Sequence, residues 1–484
     1  MIEKQKGLKK SLSPLNVWAI AFGCIIGWGS FINPGKKFLP NSGVGGTAIA
    51  MVLGALVMII IAFSYAYMVP KYPKAGGEFT FTKQSFGKIP AYACGWFLVA
   101  AYLTNVPMNS TAIGLIVDGI FGPVLKWGFH YTIAGFEVWL GEILVASSIL
   151  ILFAILNIWG VKKAGFVQTI LAILLIVSVF ALFIAALCSP YFSWENVSPA
   201  WGFDKSVLAS TGSVDAAANQ SALSAILATF AIAPWAFVGF DAIPQASEEF
   251  KFSYKKVIFI MVVAIVFGCF VYVSNNTITA AVLDNWPELI ADAEGTPWLL
   301  LAAAEKMLGT PGKVLVGVGV SSAVLSGMMG FYLASSRLMY SMSKEGYLPK
   351  MFGKIDQKHG TPKNAMIFCM IISLAGPVLG REALGWFVDM SAIGASIGFF
   401  FTCLSTFVTM KKDKDGSLFL KVLSILGVCF SLAFVVLQLI PIPGLDGVHF
   451  CWQSYVMLGV WVLLGVAFYI KQRKKMGIEQ FIEV

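Results

Sequence analysis

The stretch of this chain best equipped for chemistry offers backbone rather than side chains. Gly23 to Gly35, GCIIGWGSFINPG, puts four glycines and a proline into thirteen residues of the first apolar segment. Glycine loosens a helix and proline removes a donor, so the helix is expected to open around Gly27-Trp28-Gly29. In an apolar medium such backbone is tolerated only where it lines a cavity or is buried in protein. The freed N–H and C=O groups can hold a ligand directly, which makes this segment a candidate binding site near a bilayer midplane.

A second interruption lies at 229–249, ATFAIAPWAFVGFDAIPQASE, where Pro234, Gly239 and Pro244 surround Asp241. An ionisable residue within an apolar span is costly and marks function by default. Asp241 reads as a proton relay, or as an acceptor for N–H groups of the opened helix. Trp235 stands at the same break, and an indole face suits a cation.

Composition fixes the setting. Of 484 residues, 58% are hydrophobic and 12% charged, with mean hydropathy +0.80. Soluble domains carry roughly a quarter charged residues, so an all-α integral membrane protein is expected. Met1 to Lys10 is polar and basic without a cleavage site, and the first span reads as an uncleaved anchor. Apolar windows of about 20 residues give twelve spans, with broken helices first and sixth in order. The expected organisation is one transporter domain, 1–484: a tail (1–14), a first repeat (15–188), a second (222–410), two further helices (418–470) and a tail (471–484). Corresponding broken segments in two halves point to an inverted repeat of five spans each.

The +9 net charge does not signal nucleic acid. With both termini cytoplasmic, the 34 Lys and Arg fall on inner segments except Lys36, Lys37, Lys126, Lys205, Lys306, Lys313 and Arg381. That is the positive-inside asymmetry, and the partner it implies is a lipid bilayer. The inner connection 70–90 reads as an interfacial hairpin or short amphipathic helix. Gly394-Ala395-Ser396-Ile397-Gly398 fits the hydrolase pattern G-x-S-x-G, but that elbow needs a strand-to-helix turn. Within a span it reads as small-residue packing. Asp389 lies near the end of its span, and Asn105, Asn109, Ser110 and Thr111 offer polar groups in the third. No cluster of catalytic groups at one depth is evident, so an enzyme is not expected, nor a transition-metal site.

Several motifs in order carry a resemblance. Ile26-Gly27-Trp28-Gly29-Ser30-Phe31 precedes Pro34-Gly35. Pro73-Lys74-Ala75-Gly76-Gly77-Glu78-Phe79 follows in the inner connection. Asn157-Ile158-Trp159-Gly160-Val161-Lys162, Phe237-Val238-Gly239-Phe240-Asp241 and Ser336-Arg337-Leu338-Met339-Tyr340 come later. Over nearly its whole length the chain resembles the amino acid–polyamine–organocation transporter superfamily. The resemblance implies the leucine-transporter-like fold: twelve helices, a 5+5 inverted repeat, broken helices 1 and 6, and two C-terminal helices. It implies that a substrate carboxylate takes N–H groups of Gly27, Trp28 and Gly29. The ammonium would take carbonyls near Cys24, Ile25, Trp235 and Val238, with Phe237 lining the site and Trp235 closing it.

The same resemblance offers two coupling schemes. One is Na⁺ held by Gly23, Ile26, Ser321 and Ser322. The other is H⁺, with Asp241 as the relay; the lysine that replaces sodium in some proton-coupled relatives aligns with Leu175 here. The expected function is secondary transport of an amino acid, neutral because the site lacks charged side chains, in a cell membrane and without a cofactor. The alternatives are a cationic amino acid or polyamine exchanger, and a sensor that binds without transporting.

Overall fold

The computed structural model describes residues 8–133, 135–218, 221–291, 298–380, 383–413, 417–442 and 449–476. Residues 1–7 and 477–484 of the expected tails, and Arg381, lie outside the described residues. The chain is helical almost throughout. Among the described residues nine helices are long and apolar enough to cross a membrane, with shorter apolar helices at Pro14–Ile25 and Lys363–Leu379. Val52, Leu56, Phe166, Val177, Ile184, Phe259 and Leu463 stand exposed along these helices, as an apolar solvent permits. The expected sixth span does not form one rod: Ala222–Phe230 and Ala233–Phe237 are separate helices.

Helices Lys88–Phe121, Thr310–Lys344 and Ala383–Lys412 form the centre. In lipid, close approach rather than solvent exclusion drives such packing, so small residues sit where helices cross. A Cβ at Gly394 would lie 2.4 Å from the Phe97 carbonyl oxygen, and one at Gly398 would lie 2.6 Å from Leu98 Cδ2. The G-x-S-x-G pattern is therefore a helix contact, and its Ser396 hydroxyl donates to the Ala392 carbonyl of its own helix. Asn105 Nδ2 donates to Ser391 Oγ across the same seam at 2.7 Å. The peripheral last helix, Trp452–Met476, is held by Trp461 stacked on Trp96 with centroids 4.6 Å apart. Each of these indole N–H groups donates to the other residue's carbonyl.

Two elements differ from the sequence reading. The connection 70–90 is not interfacial: helix Gly77–Phe86 is tucked between the spans, with Glu78, Phe79, Phe81 and Thr82 buried. Phe79 and Phe81 supply the apolar surface, and buried hydrogen bonds satisfy Glu78. The connection near 130–139 is an antiparallel hairpin, His130 paired with Trp139.

Gly394→Ala is expected to destabilise the protein by about 1–3 kcal/mol, because the neighbour it meets is backbone and cannot rotate away. Gly385→Ala, at a position with nothing within 4 Å of its Cβ, is the control. Thermal unfolding in detergent measures both, and equal midpoints would refute this account of the seam.

Candidate functional site

Helix Pro14–Ile25 starts from a Ser13 cap and a proline in its first turn. Asn16 anchors it, donating to Gly165 O at 3.1 Å and Thr169 Oγ1 at 3.0 Å. The helix stops at Ile26, which is extended (φ −93°, ψ 94°), and restarts at Gly29–Asn33. It then runs through Pro34–Phe38 to a kink at Gly43. The first N–H groups of such a restart have no intrahelical acceptor and carry partial positive charge. Those groups belong to Gly27, Trp28 and Gly29. The Gly27 carbonyl is already used by Ser30, whose hydroxyl donates at 3.0 Å.

The second interruption is pressed against the first. After Phe237 the chain turns extended at Val238, and Gly239 takes φ +136°. A Cβ there would lie 2.4 Å from Cys24 Cβ and 2.8 Å from the Ile25 nitrogen. Glycine is thus required twice, by a left-handed backbone and by contact between the two breaks. Asp241 Oδ1 accepts the freed Gly239 N–H at 2.6 Å, so this carboxylate holds the open turn together.

Two aromatic rings pack at the first break. Trp235 lies over Gly29, its Cη2 2.4 Å from where a Cβ would sit, and its ring is 6.1 Å from that of Trp28. Both tryptophans are buried. Trp298 caps the same half-helix, donating from Nε1 to the Phe31 carbonyl at 2.8 Å. Gly27 is different: a Cβ would make only one ordinary contact, with Asn109 Oδ1 at 3.7 Å. Neither packing nor a positive φ demands glycine there. Asn109 Oδ1 and Trp28 Nε1 are buried without partners, and polar atoms left so are expensive.

The structure brings Cys24, Ile25, Gly27, Trp28, Gly29, Trp235 and Val238 to the two breaks, with some roles redistributed. The Ile25 carbonyl accepts from Tyr272 Oη at 3.3 Å. Cys24 Sγ packs against Gly330. The Phe237 ring packs on Gly54 and Tyr272, and near Gly268 beside the Ile25 and Ile26 side chains.

Near Gly23 the hydroxyl that reaches its carbonyl is Ser326, at 3.4 Å, one turn beyond Ser321 and Ser322. The side chain of helix Val161–Leu187 that meets Gly23 is Gln168, not Leu175. Its Nε2 donates to the Ala19 carbonyl at 3.1 Å, and its Oε1 has no partner. Asp389 is remote, its Oδ2 accepting from Ser454 at 2.6 Å. Asn275, which a scan for charged residues passes over, donates to the Ser30 carbonyl at 3.0 Å.

Beyond the second break Glu249 pairs with Arg337, both fully buried, with Nε 2.7 Å from Oε1. Glu249 takes its partner from helix Thr310–Lys344. Burial pushes the Glu249 carboxyl up, and the guanidinium opposes this. The Glu249 carbonyl accepts the N–H groups of Ser11 and Leu12 at 2.8 and 2.9 Å, and Lys251 N donates back to Leu12. One residue thus ties the entering chain to helix Thr310–Lys344. Arg337→Ala should cost about 3–5 kcal/mol, because it leaves a buried carboxylate unpaired. Arg337→Met with Glu249→Leu should recover most of it. Chemical unfolding of the three proteins checks this, and a double variant as weak as R337A would refute it.

The chain is 26% identical to a branched-chain amino acid permease, BcaP, of Bacillus subtilis, over 97% of this chain and 94% of that protein. It is 21% identical to a methylthioribose transporter of the same organism over 98% and 95%. It is 26% identical to the human large neutral amino acids transporter small subunit 2 over 76% and 64%. Residues 12–464 match the amino acid permease family model. The protein, a multi-pass membrane transporter and not an enzyme, belongs to the amino acid permease family.

Proposed function

We propose that this permease moves a neutral amino acid with a large aliphatic side chain across a cell membrane by alternating access. The reading carries the full architecture with it: twelve spans in a 5+5 inverted repeat, two C-terminal helices, and both termini cytoplasmic. The observation behind it is Gly27, a glycine that neither packing nor backbone conformation requires, at the head of a half-helix. A carboxylate needs that space beside the N–H groups of Gly27, Trp28 and Gly29. Carbonyls at Cys24, Ile25 and Val238, with Asn109 Oδ1, suit the ammonium. Trp235 and Trp28 supply an apolar cover. The names of the relatives support branched or large neutral side chains.

The cationic or polyamine alternative needs a free carboxylate beside Trp235. Asp241 is engaged by Gly239 N–H and by Tyr102, and Asp389 by Ser454, which argues for the neutral substrate. For coupling, we favour H⁺ over Na⁺. The hydroxyl that reaches the Gly23 carbonyl is Ser326 rather than Ser321 or Ser322, which weighs against the expected set of sodium ligands.

Gly27→Leu should lower amino-acid affinity at least about 100-fold, equal to roughly 2.7 kcal/mol, in ligand-dependent thermal stabilisation. Normal affinity would refute the carboxylate placement. Proteoliposome uptake of an amino-acid panel, with Na⁺ or K⁺ outside at matched pH, should favour leucine, isoleucine and valine and be indifferent to Na⁺. Binding without uptake would mark a sensor.

A further inference from the structure

A second polar centre lies beneath the breaks, built by residues that the substrate reading leaves unused. Glu78, from helix Gly77–Phe86, and Asp241 are both fully buried. Tyr65 donates to Glu78 Oε1 at 2.7 Å, and Gln245 Nε2 donates to Oε2 at 2.5 Å. Tyr102 Oη lies between the carboxylates, 2.9 Å from Asp241 Oδ2 and 3.3 Å from Glu78 Oε1. A phenol has one hydrogen, so it donates to one carboxylate at a time.

No cation is hydrogen-bonded to either carboxylate among the described residues. The titratable groups facing them are the Tyr65 and Tyr102 phenols, the Cys94 thiol beside Glu78 and the Cys24 thiol beside Asp241. Arg337 is spent on Glu249. Two ionised carboxylates sharing a dry site are disfavoured by desolvation and by mutual repulsion.

One atom records what is missing from the count. Gln245 is fully buried, and its Oε1 has no partner although its amide is inside this network. Reversing the amide sets Oε1 against Glu78 Oε2, where it accepts an O–H. Burial and the nearby Asp241 charge push the Glu78 carboxyl above the usual carboxylate range.

We propose that Glu78 and Asp241 share one proton across Tyr102, and that this site binds the ion coupled to substrate movement. The proposal rests on the transport reading above. Asp241 belongs to the turn that touches Cys24 and Ile25. Glu78 belongs to the segment held to helix Thr310–Lys344, where Ser341 Oγ donates to Ala75 O; the bonds from Ala75 N–H to Glu248 Oε1 and from Gln245 Nε2 to Glu78 Oε2 join it to the sixth span and break when the two part. Moving the sixth span relative to that segment separates the carboxylates and admits water. The shared proton then leaves to water and both groups ionise. Linkage is reciprocal, so whatever holds the proton stabilises the closed turn and its substrate, and loss of the proton as pH rises favours opening.

The test has a readout independent of substrate. Infrared spectra of the purified wild-type protein at neutral pH should show the C=O stretch of a buried protonated carboxyl, lost in Glu78→Gln and displaced in Tyr102→Phe. No such band in the wild type, or one indifferent to both E78Q and D241N, overturns the proposal. In proteoliposomes, the ratio of leucine uptake driven by an inward proton gradient to leucine counterflow should fall about tenfold in E78Q. An unchanged ratio overturns the coupling role. A band that behaves as expected in a protein that moves no amino acid sustains the proton site and refutes the transport reading instead.

Discussion

Peptide groups cannot be left unpaired in an apolar medium, and the rest of this molecule is arranged around that constraint. Two helices stop side by side, each leaving N–H and C=O groups that neither lipid nor the helix can satisfy. Each loose end is met by a specific group. Gly239 N–H goes to Asp241, the Ile25 carbonyl takes Tyr272, and the Gly27 and Ser30 carbonyls take Ser30 Oγ and Asn275. The N–H groups at Gly27 to Gly29 are given no partner among the described residues, and it is on them that the proposed carboxylate site rests.

That economy also explains the division of labour among acidic residues. Asp241 cannot serve as a counter-charge for substrate while it caps its own backbone and meets Tyr102. Glu249 is consumed by Arg337, and Asp389 by Ser454. The two breaks therefore carry no free carboxylate among the described residues, and Glu78 with Asp241 forms a separate network built on Tyr65, Tyr102 and Gln245.

Much of this was legible in the sequence, unevenly and for physical reasons. The first break announced itself because glycines and a proline are poor helix interior residues, and Asp241 because charge is costly there. The residues that meet Gly23 in the structure lie whole turns away from those that the sequence reading named. Ser326 lies four residues after Ser322, and Gln168 seven before Leu175. Such steps are whole turns, so the side chains share a face while standing about 6 to 10 Å apart along the axis. Periodicity fixes the face; only packing against a neighbouring helix fixes the level. Glu78 was hidden differently. In PKAGGEF it has the look of a solvated loop acid, and nothing local reveals that Phe79 and Phe81 draw that loop between the spans.

Glu249 works at both its ends, its carbonyl holding the backbone of Ser11 and Leu12 and its carboxylate holding Arg337. The beginning of the described chain is thus joined through one residue to the buried ion pair. Lys251 N–H adds a second tie, to the Leu12 carbonyl. Between Leu12 and the helix that opens at Pro14 only Ser13 intervenes, so the first broken helix starts one residue after the backbone that Glu249 holds.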